Sequence, residues 1–490
     1  MKRITAVTFL AALAVSLWGC GGNADEGKKL KEDYSKVTVD GLRLEILGAL
    51  DNKLDGLSTE WDPFLLTPAN MANPNIPFGS RATADDFTLV CNRAKQMGLH
   101  KIRVMLQPQW IEPVKGAYTW DGAYAQMLLK MLDFCETEGI KVNLVTWGAN
   151  TDAGYFMGLA SGQWISAPKD LDEYVANMVY SADYLLNTKK YTCITEICPF
   201  NEPDYFFIGD GGGNKGDLGR YAELCKKLDQ GLKNAGLRDK VKLNLADCGR
   251  SENTISLMEK IGGIADVYNT HCYDYYSDTI NELMYDYSRV LAMKAAEQGA
   301  IHTMGEVGFR TTIGSKQASD IDTYERGLGL MKLVTNFLNG GSAGLSYWCL
   351  FDQYYDLGAE RMEVGLWKFK DKEWEARPQF YAYSLLTKYS AAGAEIYKIK
   401  SADDNICAVA LKNPDGSWTY VVVNSSAQAK EFSFTNSNLR NLTVDKYVYT
   451  ASKLPVNGRT IPSAGKAEMK EFVLSDTVPG LSAIVYSNKG

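Results

Sequence analysis

Between residues 55 and 389, short apolar, β-rich runs alternate with amphipathic helical stretches, and few folds accept that rhythm. Strands are expected at 55–60, 101–106, 141–147, 194–200, 241–246, 267–273, 301–307 and 344–350. Helices are expected at 83–97, 124–138, 171–186, 218–235, 280–298, 321–338 and 378–389. Thr83 is placed to cap the first helix, while Gly98 and Gly139 are placed to stop the first two. Eight strand-helix units with lengthened loops predict an α/β fold of the (β/α)8 TIM-barrel type. The rival is an open, doubly wound sheet. It is disfavoured because the first unit lacks a Gly-x-Gly-x-x-Gly turn and because polar residues gather at the C-terminal ends of many strands, not at one switch point.

After Ser390 the pattern becomes short strands, at 406–411, 418–423, 431–434, 442–449 and 481–486, separated by turns such as Asn413-Pro414-Asp415-Gly416. That predicts a C-terminal antiparallel β-sandwich domain. The chain then divides into a signal segment at 1–20, a flexible tether at 21–39, a catalytic barrel at 40–390 and a sandwich at 391–490.

Met1-Lys2-Arg3 followed by an apolar run from Ile4 to Trp18 is a charged start and a hydrophobic segment too short for a stable transmembrane helix. It ends Leu17-Trp18-Gly19-Cys20, which resembles the lipobox of bacterial lipoproteins, with Trp18 where that motif has a small or hydroxyl residue. The resemblance implies secretion, cleavage and lipid attachment at Cys20, in an outer-membrane lipoprotein facing the cell surface or the periplasm. An ordinary secretory peptide cut elsewhere is the alternative.

A net charge of −7 and only 3 histidines among 490 residues argue against a nucleic-acid binder. Aromatic residues make up 11% of the chain, and flat rings with a polar edge suit sugars as well as cores. Apart from Cys20 the cysteines, at 91, 135, 193, 198, 225, 248, 272, 349 and 407, are scattered singly and read as buried free thiols. His100, His271 and His302 form no metal-type spacing with them, there is no P-loop, and no cofactor or metal is expected. Asp210-Gly211-Gly212-Gly213-Asn214 lacks the Lys-Ser/Thr of a phosphate loop and reads as a loop over the cleft.

Two strand ends carry the chemistry. An apolar run from Ile194 ends in Asn201-Glu202-Pro203, and Ile301-His302-Thr303-Met304-Gly305-Glu306-Val307-Gly308 repeats the design three units later. In a barrel both carboxylates would rise from strand C-termini into one cleft. Two carboxyls about 5–5.5 Å apart are what a retaining glycosidase needs, one to protonate the leaving oxygen and one to attack the anomeric carbon.

Asn201-Glu202-Pro203, Glu306, His271-Cys272-Tyr273, Arg103 and Trp348 together resemble the retaining β-glycoside hydrolases of clan A, over about residues 40 to 390. Among them the chain is similar to the cellulase/mannanase-type family five and the β-xylosidase-type family thirty-nine. The resemblance implies double displacement on a β-linked carbohydrate, with Glu202 as general acid/base and Glu306 as nucleophile. Desolvation and the nearby Glu306 should raise the proton affinity of Glu202, whereas Glu306 must stay ionised. Arg103 would hold Glu306 by charge, and Tyr273 would donate a hydrogen bond to it. Asn201 would meet the sugar 2-hydroxyl, and Trp348 would floor the reacting ring. His271 would contact a sugar hydroxyl, position a carboxylate or fill the core.

Trp61, Trp110 and Trp147 near other strand tops read as sugar subsites or as core, and Asp274, Asp352 and Gln353 as substrate contacts or solvated surface. The alternative function is an inactive barrel that only binds glycans.

Overall fold

The computed structural model describes residues 33–39, 41–148, 167–208, 215–273, 275, 278–308, 312–313, 316–317, 321–356, 358, 361–456 and 458–490. Cys20, Asp274 and the glycine-rich loop at 210–214 lie outside them. An N-terminal strand β1 (Leu42–Lys53) precedes the barrel strands β2 (Gly56–Glu60), β3 (Lys101–Leu106), β4 (Lys141–Thr146), β5 (Ile194–Cys198), β6 (Lys242–Cys248), β7 (Val267–Cys272), β8 (Ile301–Val307) and β9 (Gly344–Tyr347). Strands β2 to β9 pair side by side in parallel, and β9 closes onto β2 to complete a barrel. The expected TIM barrel is therefore the fold of this region.

Local chemistry explains where the surrounding helices begin and end. Helix α1 (Ala84–Gln96) opens with a capping box, in which Asp86 accepts from the Thr83 backbone N–H at 2.7 Å. Helix α2 (Ala123–Glu138) stops where Gly139 turns left-handed, with φ of 70°. Helix α3 (Leu171–Asp183) is capped by the Asp170 carboxylate, which accepts from the N–H groups of Asp172 and Glu173. Helices α4 (Leu218–Asn234), α5 (Ser251–Ile261), α6 (Asn281–Glu297), α7 (Tyr324–Gly340) and α8 (Pro378–Tyr389) complete the outer ring. Helix α5 has no counterpart among the expected helices, although Thr254, Leu257, Met258 and Ile261 bury one face at helical spacing.

Besides two short two-stranded ribbons in the barrel loops, the strands that follow are β10 (Glu395–Lys400), β11 (Ile406–Lys412), β12 (Trp418–Asn424), β13 (Lys430–Thr435), β14 (Leu442–Tyr449), β15 (Lys466–Met469), β16 (Val473–Val478) and β17 (Ser482–Ser487). They form a β domain whose sheet runs β15-β14-β17-β12-β11-β10-β1-β13-β16. The expected Asn-Pro-Asp-Gly hairpin joins β11 to β12, and Gly416 supplies its left-handed residue at φ 84°.

One assignment changes. Residues 42–53 were expected in the barrel, but β1 lies between β10, to which it is antiparallel, and β13, to which it is parallel. Its alternation explains why. Leu44 and Ile46 enter the apolar interior of the β domain with Tyr420, Phe432, Phe434 and Tyr486, while Arg43 and Glu45 stay outside it.

The opposite face of the β domain packs on the barrel through α7, where every residue from Arg326 to Gly340 is buried. A helix covered on all sides needs close approaches. At Gly327 a Cβ would come within 1.9 Å of the Tyr449 hydroxyl of β14. Among the described residues no helix is long and apolar enough to cross a membrane, and the nine cysteines from Cys91 to Cys407 are buried and form no disulfide with one another.

Candidate active site

The barrel brings Arg103, Asn201, Glu202, His271, Tyr273, Glu306 and Trp348 to the C-terminal end of the strands. Arg103 points inward from β3, 1% exposed, and is the hub. Its Nη1 donates to Glu60 Oε2 and to Glu306 Oε1, both at 2.8 Å. Its Nη2 donates to Asn201 Oδ1 at 2.6 Å and to Asp247 Oδ2 at 2.7 Å. A planar guanidinium can serve four acceptors at fixed angles, which an ammonium cannot.

Just after β5, Glu202 adopts a left-handed backbone with φ of 48°, and Pro203 opens a short helical turn behind it. That conformation is uncommon for a glutamate, and its backbone N–H is held by the Asp247 carbonyl at 3.0 Å. Strand β6 ends similarly. Ala246 and Asp247 both have positive φ, and the register with β7 slips between Ala246 and Cys248. This bulge leaves the Asp247 carboxylate within reach of both Arg103 and His271.

His271 on β7 bridges the acids. Its Nδ1 lies 2.9 Å from Glu202 Oε1 and 3.4 Å from Glu306 Oε2, and its Nε2 lies 3.0 Å from Asp247 Oδ1. Burial disfavours charge on this imidazole, but Glu306 and Asp247 outweigh it and lift the ring well above the usual histidine range. Burial likewise works against a charged Asp247, yet Arg103 and His271 hold it far below the ordinary carboxylate range. Tyr273 donates its hydroxyl to Glu306 Oε2 at 2.6 Å. Beneath the site, Gly305 admits the Asn269 side chain, whose Oδ1 lies 2.3 Å from where a Cβ would stand.

Opposing influences act on Glu306. Sequence reasoning has it simply ionised, whereas burial pushes its carboxyl up to about 7, against the pull of His271 and Arg103 and with Glu202 adding to the rise. Arg103 on Oε1 and the Tyr273 hydroxyl on Oε2 nevertheless give both oxygens the donors an ionised carboxylate needs.

Two members of the network were not singled out from the sequence. Glu60 closes the first expected barrel strand, and Asp247 directly follows the fifth. An acid at a barrel strand's C-terminal end is the signal that marks both.

The aromatic candidates divide. Trp348 stacks between Trp147, at a centroid distance of 5.5 Å, and Tyr355, at 6.1 Å, forming a wall beside the acids. Trp110 stacks on Tyr124 at 5.1 Å in the adjoining cluster with Phe64. Trp61 is fully buried between Phe87 and Phe134 and is core. Asp352 is buried and takes Arg377 on both oxygens, so it anchors the start of α8. Gln353 is buried too, and donates to Tyr355.

One atom each from Glu202, His271 and Glu306 lie within 4.8 Å of one another, close enough to surround a cation. Arg103 already supplies a permanent positive charge to that cluster. Beside Glu202 a cavity of about 570 Å³ is lined by Tyr205, Arg250, Ser251, Glu252, Tyr273 and Tyr287.

Comparison with known proteins agrees with this architecture. The profile of the glycosyl hydrolase family 30 beta sandwich domain matches residues 396–453. No curated protein matches the chain. Among solved structures, the catalytic domain of a GH30 xylanase C from Talaromyces cellulolyticus superposes with a TM-score of 0.63 at 15% identity, covering 91% of this chain and 100% of that one. An endo-beta1,6-glucanase gives 0.64 at 13% identity, with 92% and 93% covered. A family 39 glycoside hydrolase from the gut symbiont Bacteroides cellulosilyticus WH2 gives 0.58 at 14%, with 90% and 82% covered. The β domain thus matches the family 30 sandwich, and the chain as a whole has the barrel-and-sandwich fold of the clan A glycoside hydrolases.

Proposed function

We propose that the protein is a retaining β-glycoside hydrolase acting on a β-linked poly- or oligosaccharide. The observation that carries this reading is the carboxyl pair: oxygens of Glu202 and Glu306 lie within 4.8 Å across the barrel mouth. Retaining enzymes hold their carboxyls about 5–5.5 Å apart, whereas inverting enzymes leave about 6.5–9.5 Å for a water.

In this reading Glu202, the more exposed of the two, protonates the glycosidic oxygen while Glu306 attacks the anomeric carbon. The C–O bond to the leaving group breaks, and a glycosyl ester forms on Glu306. Water then enters from the side of the departed group. Glu202 takes its proton, the ester bond breaks, and the sugar leaves with its original configuration.

Arg103 and Tyr273 hold the Glu306 oxygens in position and disperse their charge, so attack needs little reorganisation. Arg103 also fixes the Asn201 amide by binding its oxygen, leaving the amide N–H groups for the 2-hydroxyl. The Trp348 ring, with Trp147 and Tyr355, offers the sugar a flat apolar face.

The test is hydrolysis of a panel of β-linked polysaccharides and aryl glycosides, including xylan and β-1,6-glucan because fold neighbours carry those activities in their names. Glu306→Ala should lower turnover by roughly 10⁴-fold or more. Azide should restore it and yield the inverted glycosyl azide. Tight oligosaccharide binding without turnover by the wild type would favour a glycan-binding protein instead.

The N-terminal segment is proposed to place this activity outside the cytoplasm, on a lipid anchor at Cys20. Labelled palmitate should enter the wild type and not Cys20→Ala.

A further inference from the structure

We infer that Glu60 is a positioning residue held as a neutral acid, sharing one proton with Asp62, and that this pair sets how much of the Arg103 charge reaches Glu306. The inference rests on the reading of Glu306 as nucleophile. It begins with a competition: the same nitrogen, Arg103 Nη1, donates to Glu60 and to Glu306 at an equal 2.8 Å. Charge placed on one of these acids weakens the hold on the other.

Donor geometry decides which carboxyl near Arg103 goes without a charge. Asp62 is furnished as a carboxylate, since Oδ1 accepts from the Met105 backbone N–H and Oδ2 from the Tyr355 hydroxyl, both at 2.8 Å. Glu60 accepts from Arg103 on Oε2, but its buried Oε1 receives no N–H or hydroxyl donor. The two carboxyls are in hydrogen-bonding contact. Two carboxyl oxygens in contact need a proton between them, and it belongs on the oxygen that lacks a donor.

The surroundings agree. Glu60 is fully buried and is pushed well above the carboxylate range by that burial, with Asp62 adding and Arg103 opposing. Burial also lifts Asp62, to about 6, against its hydrogen bonds. The other groups facing the pair are Cys349 after β9, Tyr355 beyond it and Glu306 on β8. The thiol and the phenol are both driven well above their usual ranges by burial, so among the described residues Arg103 is the cation the pair meets.

A neutral Glu60 leaves the guanidinium charge to Glu306 and Asp247. An ionised Glu60 would draw on it and repel Glu306, making the nucleophile hold its proton to higher pH.

The test exchanges the proton for an amide. In Asp62→Asn the new amide donates to Glu60 Oε1 where the carboxylate had accepted, so Glu60 ionises. The acid limb of kcat/KM should move up by about one pH unit, roughly a tenfold loss below the limb. Adding Glu60→Gln to that variant should return the limb to its wild-type position, because the glutamine side chain is neutral. Glu60→Gln alone should leave the limb in place.

A limb that drops in Glu60→Gln overturns the inference, since it requires a charged Glu60, and so does an Asp62→Asn shift that Glu60→Gln fails to reverse. If Asp62→Asn does not fold, Glu60→Gln alone decides. A substrate-free readout separates this inference from the glycosidase reading. The infrared spectrum of wild type minus Glu60→Gln at pH 7 should contain the C=O band of a protonated carboxyl, and its absence overturns the inference whatever the activity assays give.

Discussion

Strand β3 carries two buried bases on one face, Lys101 at its start and Arg103 two residues on, and each organises a cluster of acids at opposite ends of the barrel. At the lower end every carboxylate oxygen has a donor. Lys101 meets Asp55 Oδ2 and Glu196 Oε1, Lys242 meets Asp55 Oδ1, and Asn244 meets Glu196 Oε2. Although burial works against it, Asp55 is held down to about 2 by Lys101, whereas burial and the neighbouring Asp55 raise Glu196 against the pull of the same lysine. At the upper end the single guanidinium serves Glu60, Asp247, Glu306 and Asn201 together. Acids there outnumber the charges that could quiet them. The lower cluster shares two lysines between two acids, while the upper one asks one guanidinium and His271 to serve Glu60, Asp247, Glu202 and Glu306.

Substitutions should separate the two clusters. Lys101→Met leaves Glu196 without its base and Asp55 with Lys242 alone, and should cost roughly 3–5 kcal/mol of stability, while the folded protein keeps its kcat. Urea unfolding beside activity checks this, and a lost kcat in a stable variant would erase the distinction. Arg103→Lys removes the fork that spans four acceptors. It should lower kcat/KM by roughly 10²–10³-fold, on the scale of losing a preorganised charge-stabilising group.

Tyr273→Phe removes one hydrogen bond to a charged group, a contact worth about 1.5–3 kcal/mol, so kcat/KM should fall about 10- to 100-fold. Its acid limb should also rise, because a donor that favours the ionised Glu306 is gone. For the wild type, kcat/KM should rise with pH through the range where Glu306, lifted by burial to about 7, loses its proton.

The smallest effect concerns the other histidines. His302 is buried and His100 half-buried, and loss of solvation holds both neutral, lowered to about 3 and about 4, in contrast to the charged His271. An unfolded histidine titrates near 6.5, so the unfolded chain binds more protons below that value. These two groups then withdraw stability as pH falls from about 6.5 to 4. The urea midpoint should be lower at pH 5 than at pH 7, and a midpoint that rises on acidification would contradict their neutral burial.

Elements with a local signal were legible in the sequence. The strand expected at 301–307 and the helix at 378–389 coincide with β8 and α8, and Thr83 and Gly139 end helices where their chemistry requires. Non-local pairings were not. Strand β1 joins the β domain through β10 and β13, partners that its own alternation cannot name. Glu60 and Asp247 stood at strand ends in plain sight, but their importance lies in sharing Arg103 with Glu306, a contact that exists only once the barrel closes. The rise in Glu306 has the same origin, since burial and neighbouring acids shift a proton affinity and neither is local in sequence.

The central claim is that Glu202 and Glu306 act as acid/base and nucleophile in a double displacement. Proton NMR of the first sugar released from a β-linked substrate, recorded before mutarotation, tests it most directly. The account predicts the β-anomer. An initial α-anomer would mean that water attacks directly, and would contradict the assignment of Glu306 as the group that carries the sugar.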